Sequence, residues 1–322
     1  MNYRNFGQIG LKVSEIGFGA WGIGGVAESA PAYGPTDDHE SMLALRRAYD
    51  LGINFFDTSD FYGHGHSEQL IGETFRDVRP DVVISTKVGF LSGDGAQDFS
   101  PENIVRSAEA SLKRLRTDYI DLYQLHSPPI DLLEEDEQVL AALKSLQAQG
   151  KVRTLGVSVR SPDDALTAVN KLGFQAIEVN FNLVDQRASN NGLLDLCRRE
   201  GVGVVARAPL CFGFLTGAYS SESNFDSTDH RSSWSSAQMD RWATAPELFG
   251  AALHADGGHT PAQLALRFCI SFPGVSVAIP GMLTQEEVEE NVVASDLGPF
   301  SEEELRSLEQ IYSSNTFFVG RG

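Results

Sequence analysis

Along the 322-residue chain, short apolar runs alternate with longer stretches in which apolar residues recur every three or four positions. Eight of the runs read as strands: SEIGFGA from Ser14, INFFDTS from Ile53, VVISTKV from Val82, YIDLYQLH from Tyr119, VRTLGVSV from Val152, QAIEVNF from Gln175, GVVARAPL from Gly203 and VSVAIP from Val275. Each is brief, rich in β-branched and aromatic residues, and bounded by Gly, Pro, Ser or Asp, as strands buried on both faces are. The stretches between them open with helix signals. Asp37 with Glu40, and Ser301 with Glu304, have capping-box spacing. Ser100-Pro101, Ser161-Pro162 and Thr260-Pro261 each place a capping side chain before a proline in the first turn.

Eight strands alternating with about eight helices predict an α/β protein of the (β/α)8 TIM-barrel type. An open doubly wound sheet is the alternative, but no GxGxxG opens a helix after the first strand. The first seven residues and VSEIG, separated by a glycine-containing turn, predict an N-terminal β-hairpin that closes the barrel bottom. No break in composition divides residues 1–322, so a single barrel domain with long C-terminal-face loops is expected. Residues 219–241 lack apolar periodicity and are rich in Ser, Asp and Asn. A loop of that length reads as a lid over a binding site, or as a tolerated surface insertion.

Composition narrows the partners. At 42% hydrophobic and 21% charged residues, the chain has ample material for a core. Its 44 acidic against 25 basic residues leave a net charge of −19. That balance argues against nucleic acid and anionic membranes and leaves a small molecule as the expected partner. No stretch approaches a membrane span, and the opening MNYRNFGQIG lacks the apolar core of a signal peptide. Cys197, Cys211 and Cys269 lie far apart without CxxC spacing, which suits a reducing compartment; a cytoplasmic location is expected. Nothing in the sequence speaks to oligomeric state.

In such a barrel, polar residues at the carboxyl ends of strands line the active-site mouth. Those ends carry Asp57, Lys87 and His126, and Tyr62 follows Asp57 by five residues. Taken singly, Asp57 has a plain role as a turn cap, His126 as a core histidine and Tyr62 as a loop aromatic. Lys87 does not, because an ammonium at the end of an apolar strand needs a charged partner. Asp57 is the nearest one. Together the four define a proton-transfer site: a cation favours tyrosinate and lowers the phenol from about 10 toward neutrality, while the imidazole bonds the substrate oxygen. His64-Gly65-His66 has metal-ligand spacing but no third ligand, so no metal is expected. There is no GxSxG elbow and no P-loop.

The run GINFFDTSDFYGHGHSEQLIGE, then STKVG, then the His of QLHSPP, resembles the aldo-keto reductases, as do ARAPLCFGFLTGAY and AIPGMLTQEEVEEN. The resemblance covers essentially the whole chain in the right order. It implies a barrel that binds an extended nicotinamide dinucleotide, with Asp57, Tyr62, Lys87 and His126 as catalytic tetrad and Tyr62 as general acid. By the same resemblance Ser158 and Glu178 meet the carboxamide, and Arg207 the nicotinamide. Pro209, Leu210, Gly213 and Leu215 run under the pyrophosphate, Gly281 is a further cofactor contact, Glu287 faces the ribose 2′ position, and Glu290 and Asn291 meet the adenine. Trp21, Phe61, Phe90 and Trp234 line the substrate pocket.

Some positions depart from the family pattern. Val159 stands where Asn is common, Glu178 where Gln is usual, and Arg207 where a Tyr often stacks. Met282, Leu283 and Glu287 replace the bases that hold a 2′-phosphate in members preferring NADP. NADP(H) is therefore implied by the resemblance, and NAD(H) by the missing bases. The implied activity is reduction of an aldehyde or ketone, or oxidation of the corresponding alcohol, sugar-like substrates included. Two alternatives stay open: a redox-neutral epimerase or dehydratase that retains its dinucleotide, and a dinucleotide-sensing binding subunit with little catalysis.

Overall fold

All eight apolar runs contribute a strand to one parallel sheet in the structure, a computed structural model that describes residues 1–28, 30–253 and 258–319. Two short strands precede the sheet, β1 (Tyr3–Asn5) and β2 (Lys12–Ser14), which pair antiparallel as the expected hairpin. The sheet then runs β3 (Phe18–Gly19), β4 (Phe55–Asp57), β5 (Val83–Val88), β6 (Ile120–His126), β7 (Val152–Ser158), β8 (Ala176–Asn180), β9 (Gly203–Arg207) and β10 (Val277–Ile279), each beside the next. Parallel bridges from Ile16 to Ala278 and from Gly19 to Gly281 close β10 onto β3. The closure is tight: a Cβ on Gly19 would stand 2.8 Å from the Ile279 carbonyl oxygen. The fold is the (β/α)8 barrel expected of the sequence.

The helix starts follow their caps. Ser100, Ser161 and Thr260 each accept a backbone N–H from the third residue beyond, with proline in the first turn. Ser301 and Glu304 form a reciprocal capping box, whereas at Asp37 the side chain accepts the Glu40 N–H. Residues 219–241 are only partly a loop. A 3₁₀ turn spans His230–Ser233 and a helix begins at Ser236, capped by Ser235.

Alternation within the strands builds two cores. Phe56, Ile84, Tyr123, Val157, Ile177 and Val204 join the layer shared with the surrounding helices. Their neighbours Phe55, Val83, Leu122, Ala176, Val205 and Val277 cluster inside the barrel with Phe6 and Val13 of the hairpin. Phe6 stacks on Phe55 at 5.7 Å between ring centroids, so the hairpin plugs the barrel bottom. Gly203 makes room for that plug, since a Cβ there would meet the Phe6 ring at 2.5 Å. Gly203→Ala is expected to cost about 2 kcal/mol by overpacking, read as a lower melting temperature. The mouth chemistry at the opposite end should persist in that variant at low temperature.

Candidate active site

One step further along each strand, the barrel interior changes from apolar to ionic. Above Phe55, Val83, Leu122 and Ala176 stand Asp57, Ser85, Lys87, Gln124 and Glu178, every one of them buried. Register places Asp57 beside Ser85, Lys87 beside Gln124, and His126, Ser158 and Glu178 in a row across β6, β7 and β8. Asn180 and Arg207 continue the rim on β8 and β9.

Lys87 is the centre of the ionic layer, with a side chain 0% exposed. Its ammonium donates to Asp57 Oδ1 and to the Thr58 carbonyl (3.0 Å), and Glu178 Oε2 lies 3.2 Å away. The pairing with Asp57 agrees with the sequence reading; the second carboxylate does not follow from it. Ser85 Oγ donates to Asp57 Oδ2 (2.8 Å) and accepts from Gln124 Nε2 (3.0 Å), which also donates to Glu178 Oε2 (2.7 Å). Ser158 Oγ donates to Glu178 Oε1 (3.2 Å), so these two residues bond each other. Gln124 and Ser85 were not singled out in the sequence, because buried polar residues inside apolar strands carry no mark of the partners that a closed barrel brings them.

Tyr62 lies on the loop after β4, half-buried, its ring centroid 5.3 Å from Lys87 Nζ. His126 packs edge-on against it at 5.9 Å, and the imidazole Nδ1 shares a 3.2 Å hydrogen bond with Ser59 Oγ. The four tetrad residues therefore gather at one point of the mouth. Burial holds the His126 pKa well below the usual imidazole range, and the charges of Lys87 and Arg207 push it the same way, so the ring is neutral. Tyr62 departs from the expected lowering. Burial pushes its phenol up to about 12, with Asp57 and Glu178 adding to the rise and Lys87 and Arg207 opposing it. The sequence argument counted the cation and omitted desolvation and the second carboxylate. Asp57 is itself pushed up to about 7, by burial first and by Glu178 second, against the pull of Lys87.

A cleft of about 450 Å³ opens between the loops after β9 and β10, its lining beginning at Ala208, the residue after Arg207 of the rim, and including Gly22, the residue after Trp21. Of the residues expected to run along a dinucleotide, Pro209, Leu210, Gly213, Gly281, Glu287, Glu290 and Asn291 line it. Leu215 does not, its side chain being buried in the core beneath. Ser158, Glu178 and Arg207 sit at the barrel rim rather than in the lining; Arg207 donates to the Val159 carbonyl (3.3 Å), and its Nε is buried without a partner among the described residues. Backbone at Ala208, Cys211, Phe212 and Gly213 is held at positive φ. Three of these are not glycine, a concentration of strain of the kind found at ligand clamps. Glu287 Oε2 accepts the Leu283 N–H (2.6 Å) while Thr284 caps the same helix. Arg231 is the basic side chain among the described lining residues, and it is paired with Asp229 (2.7 Å).

Residues 219–241 reach across this cleft. Asp229 bridges to Ala32 and Tyr33, and His230 N–H donates to the Ala32 carbonyl (2.9 Å). The Arg231 guanidinium lies over the Tyr33, Tyr219 and Phe225 rings at 4.7, 4.8 and 4.2 Å. Trp21 stacks on His230 (4.7 Å) and lies 6.3 Å from Tyr62; Phe61 stacks on Phe90 (5.6 Å), which meets His126 edge-on (4.7 Å). Trp234 meets His230 edge-on (5.0 Å) and also packs with Phe212 and Trp242, which lie outside residues 219–241. His64 and His66 turn to different partners, the Glu28 carbonyl and Asp38.

The closed barrel thus gathers a buried lysine, a phenol and a neutral imidazole at its mouth. The chain belongs to the aldo/keto reductase family, whose sequence model matches residues 15–313. Membership makes it an oxidoreductase of carbonyl and alcohol substrates, in a family that binds nicotinamide dinucleotides. It is similar to L-galactose dehydrogenase of Arabidopsis thaliana, 31% identical over 303 residues that cover 90% of this chain and 87% of that protein. A probable voltage-gated potassium channel subunit beta of the same plant is 32% identical over 316 residues, covering 93% and 92%. The solved glycerol dehydrogenase of Gluconobacter oxydans superposes with a TM-score of 0.79 at 26% identity, over 98% of this chain and 97% of that one. Among the described residues no helix is long and apolar enough to cross a membrane.

Proposed function

We propose that the protein interconverts a small polyhydroxylated alcohol and its carbonyl, with a nicotinamide dinucleotide in the 450 Å³ cleft and Tyr62 as the acid/base. The observation that carries this reading is the meeting of Tyr62, Lys87 and neutral His126 at the barrel mouth, where the chain passes from Arg207 on the rim into Ala208 and Pro209 of the cleft lining. The bound cofactor would supply or accept the hydride. His126 leaves Nε2 to bond the substrate oxygen while Nδ1 is held by Ser59. Tyr62, kept protonated at neutral pH by burial, donates its proton to that oxygen in the reducing direction. Lys87, clamped by Asp57, opposes the rise of the phenol pKa.

Beside residues 227–233 lies a second cavity of about 530 Å³ whose lining mixes Ser92, Asp94, Thr228 and His230 with Val26, Ala27, Ala30 and Pro31. The substrate class rests on the sugar and polyol named for two of the relatives. Mixing the protein with oxidised dinucleotide and a panel of polyols and aldoses should give a net change in nicotinamide absorbance. Turnover without that change, together with dinucleotide retained through purification, would instead mark redox-neutral chemistry. Tight dinucleotide binding with no turnover of any substrate would mark the binding subunit, the reading that the channel-subunit relative favours.

For the cofactor we infer a preference for NAD(H). Glu287 places a carboxylate in the cleft lining, and the basic side chain there, Arg231, is already neutralised by Asp229. A carboxylate accepts from a free ribose 2′-hydroxyl and repels a 2′-phosphate. Separate titrations with NADH and NADPH, followed by quenching of Trp fluorescence, should show NADH binding at least about 10-fold tighter, roughly 1.4 kcal/mol. A preference of that size for NADPH overturns the assignment.

A further inference from the structure

We propose that Glu178 is a positioning residue of the reaction: together with Asp57 it fixes the Lys87 ammonium and, through that ammonium, sets the pH at which Tyr62 exchanges its proton. The inference deepens the reading of Tyr62 as acid/base and rests on it. Its basis is a closed ring of contacts, from Lys87 to Asp57, Ser85, Gln124, Glu178 and back to Lys87. Glu178 enters this ring from β8, three strands away from Lys87 on β5, and both are almost completely buried. Its other oxygen accepts from Ser158, so the carboxylate is held by three residues.

The consequence is electrostatic. One ammonium faces two carboxylates, so the buried ring carries an excess negative charge whenever both are ionised. Two N–H bonds of Lys87 go to Asp57 and Thr58, and the phenol ring sits 5.3 Å off, so the ammonium acts on Tyr62 through space. Glu178 offsets part of that field. The charged groups facing the phenol are Lys87 and Arg207, which favour its ionised form, and Asp57 and Glu178, which disfavour it; His126 is neutral. An amide at position 178 keeps the shape and the acceptor oxygen and removes the charge.

Glu178→Gln tests this in two ways. In the direction of alcohol oxidation, which needs the tyrosinate, the rising limb of the pH profile should move about one unit toward neutrality. Loss of a merely structural contact would lower the rate at every pH and leave the limb where it is. The second measurement needs no turnover. Asp57 has a folded-state pKa raised by burial and by Glu178, so its contribution to stability is fully present below the unfolded carboxylate range and is lost as pH rises through about 7. With Glu178 neutral that loss shrinks, and the melting temperature of E178Q should gain on the wild type between about pH 5 and pH 8.

Glu178→Asp keeps the charge but shortens the reach. It should slow turnover without moving the limb, which separates charge from geometry. If the E178Q limb and the pH dependence of its melting temperature both coincide with the wild type, the inference is wrong. Tyr62→Phe distinguishes the two levels. A Y62F protein that still turns over removes the acid/base reading itself, whereas an inactive Y62F beside an unshifted E178Q removes this inference alone.

Discussion

Lys87→Met is expected to lose at least about 10³-fold in turnover and about 3–5 kcal/mol in stability. The two losses have one cause. Lys87 is the cation between Asp57 and Glu178, and neither carboxylate can reach water when it is gone. Removing one partner of a buried ion pair leaves an uncompensated charge, which is why breaking such pairs costs more than forming them gains. The orphaned carboxylates would respond by binding protons, so the stability deficit should shrink as pH falls toward about 5. Turnover falls because Lys87 opposes the burial that raises the Tyr62 pKa, and the carboxylates that remain act in the unfavourable direction. Thermal melts at two pH values, paired with initial rates, check both halves. A variant as stable as the wild type at about pH 8 would mean that the two carboxylates do not share this ammonium.

The eight strands could be read from the sequence because a parallel barrel buries both faces of each strand. Runs such as VVISTKV and GVVARAPL then appear as short, nearly continuous apolar segments cut by turn residues. The caps at Ser100, Ser161, Thr260 and Ser301 were legible for a local reason: the cap and its N–H partner lie three residues apart. The four residues that meet at the mouth, Asp57, Tyr62, Lys87 and His126, were visible at strand ends and through family motifs. The second carboxylate on Lys87 was not, because β5 and β8 are three strands apart and their side chains meet only across the interior of the rolled sheet. No spacing along the chain encodes that distance. The same applies to Ser59 beneath His126, 67 residues apart, and to the clamp of Asp229 and His230 on Ala32 and Tyr33, which joins segments some two hundred residues apart. The misjudged direction of the Tyr62 shift has a related origin. A neighbouring cation can be guessed from motif order, whereas desolvation is set by the whole assembled mouth.

Tyr62→Phe should lower turnover by about 10³ to 10⁴-fold while dinucleotide binding stays within about twofold. The substitution removes one oxygen and keeps the ring, so the contacts with Trp21, His126 and the Lys87 ammonium survive. The cleft residues expected to carry the dinucleotide lie on other loops. The pH behaviour of the unmutated protein sharpens the test. With its phenol pushed up to about 12, Tyr62 is protonated throughout the neutral range. Carbonyl reduction, which consumes that proton, should be nearly flat from about pH 6 to pH 9. Alcohol oxidation, which needs the tyrosinate, should climb steadily over the same interval. In Y62F the residual oxidation should lose this climb, because water would replace the phenol as proton acceptor. His126 cannot take over the role of acid, since burial and two neighbouring cations keep its ring neutral and leave it able only to orient the oxygen. A Y62F enzyme that kept both its rate and its pH dependence would move the acid/base to another group. The position of Lys87 beneath the ring would then need a different explanation.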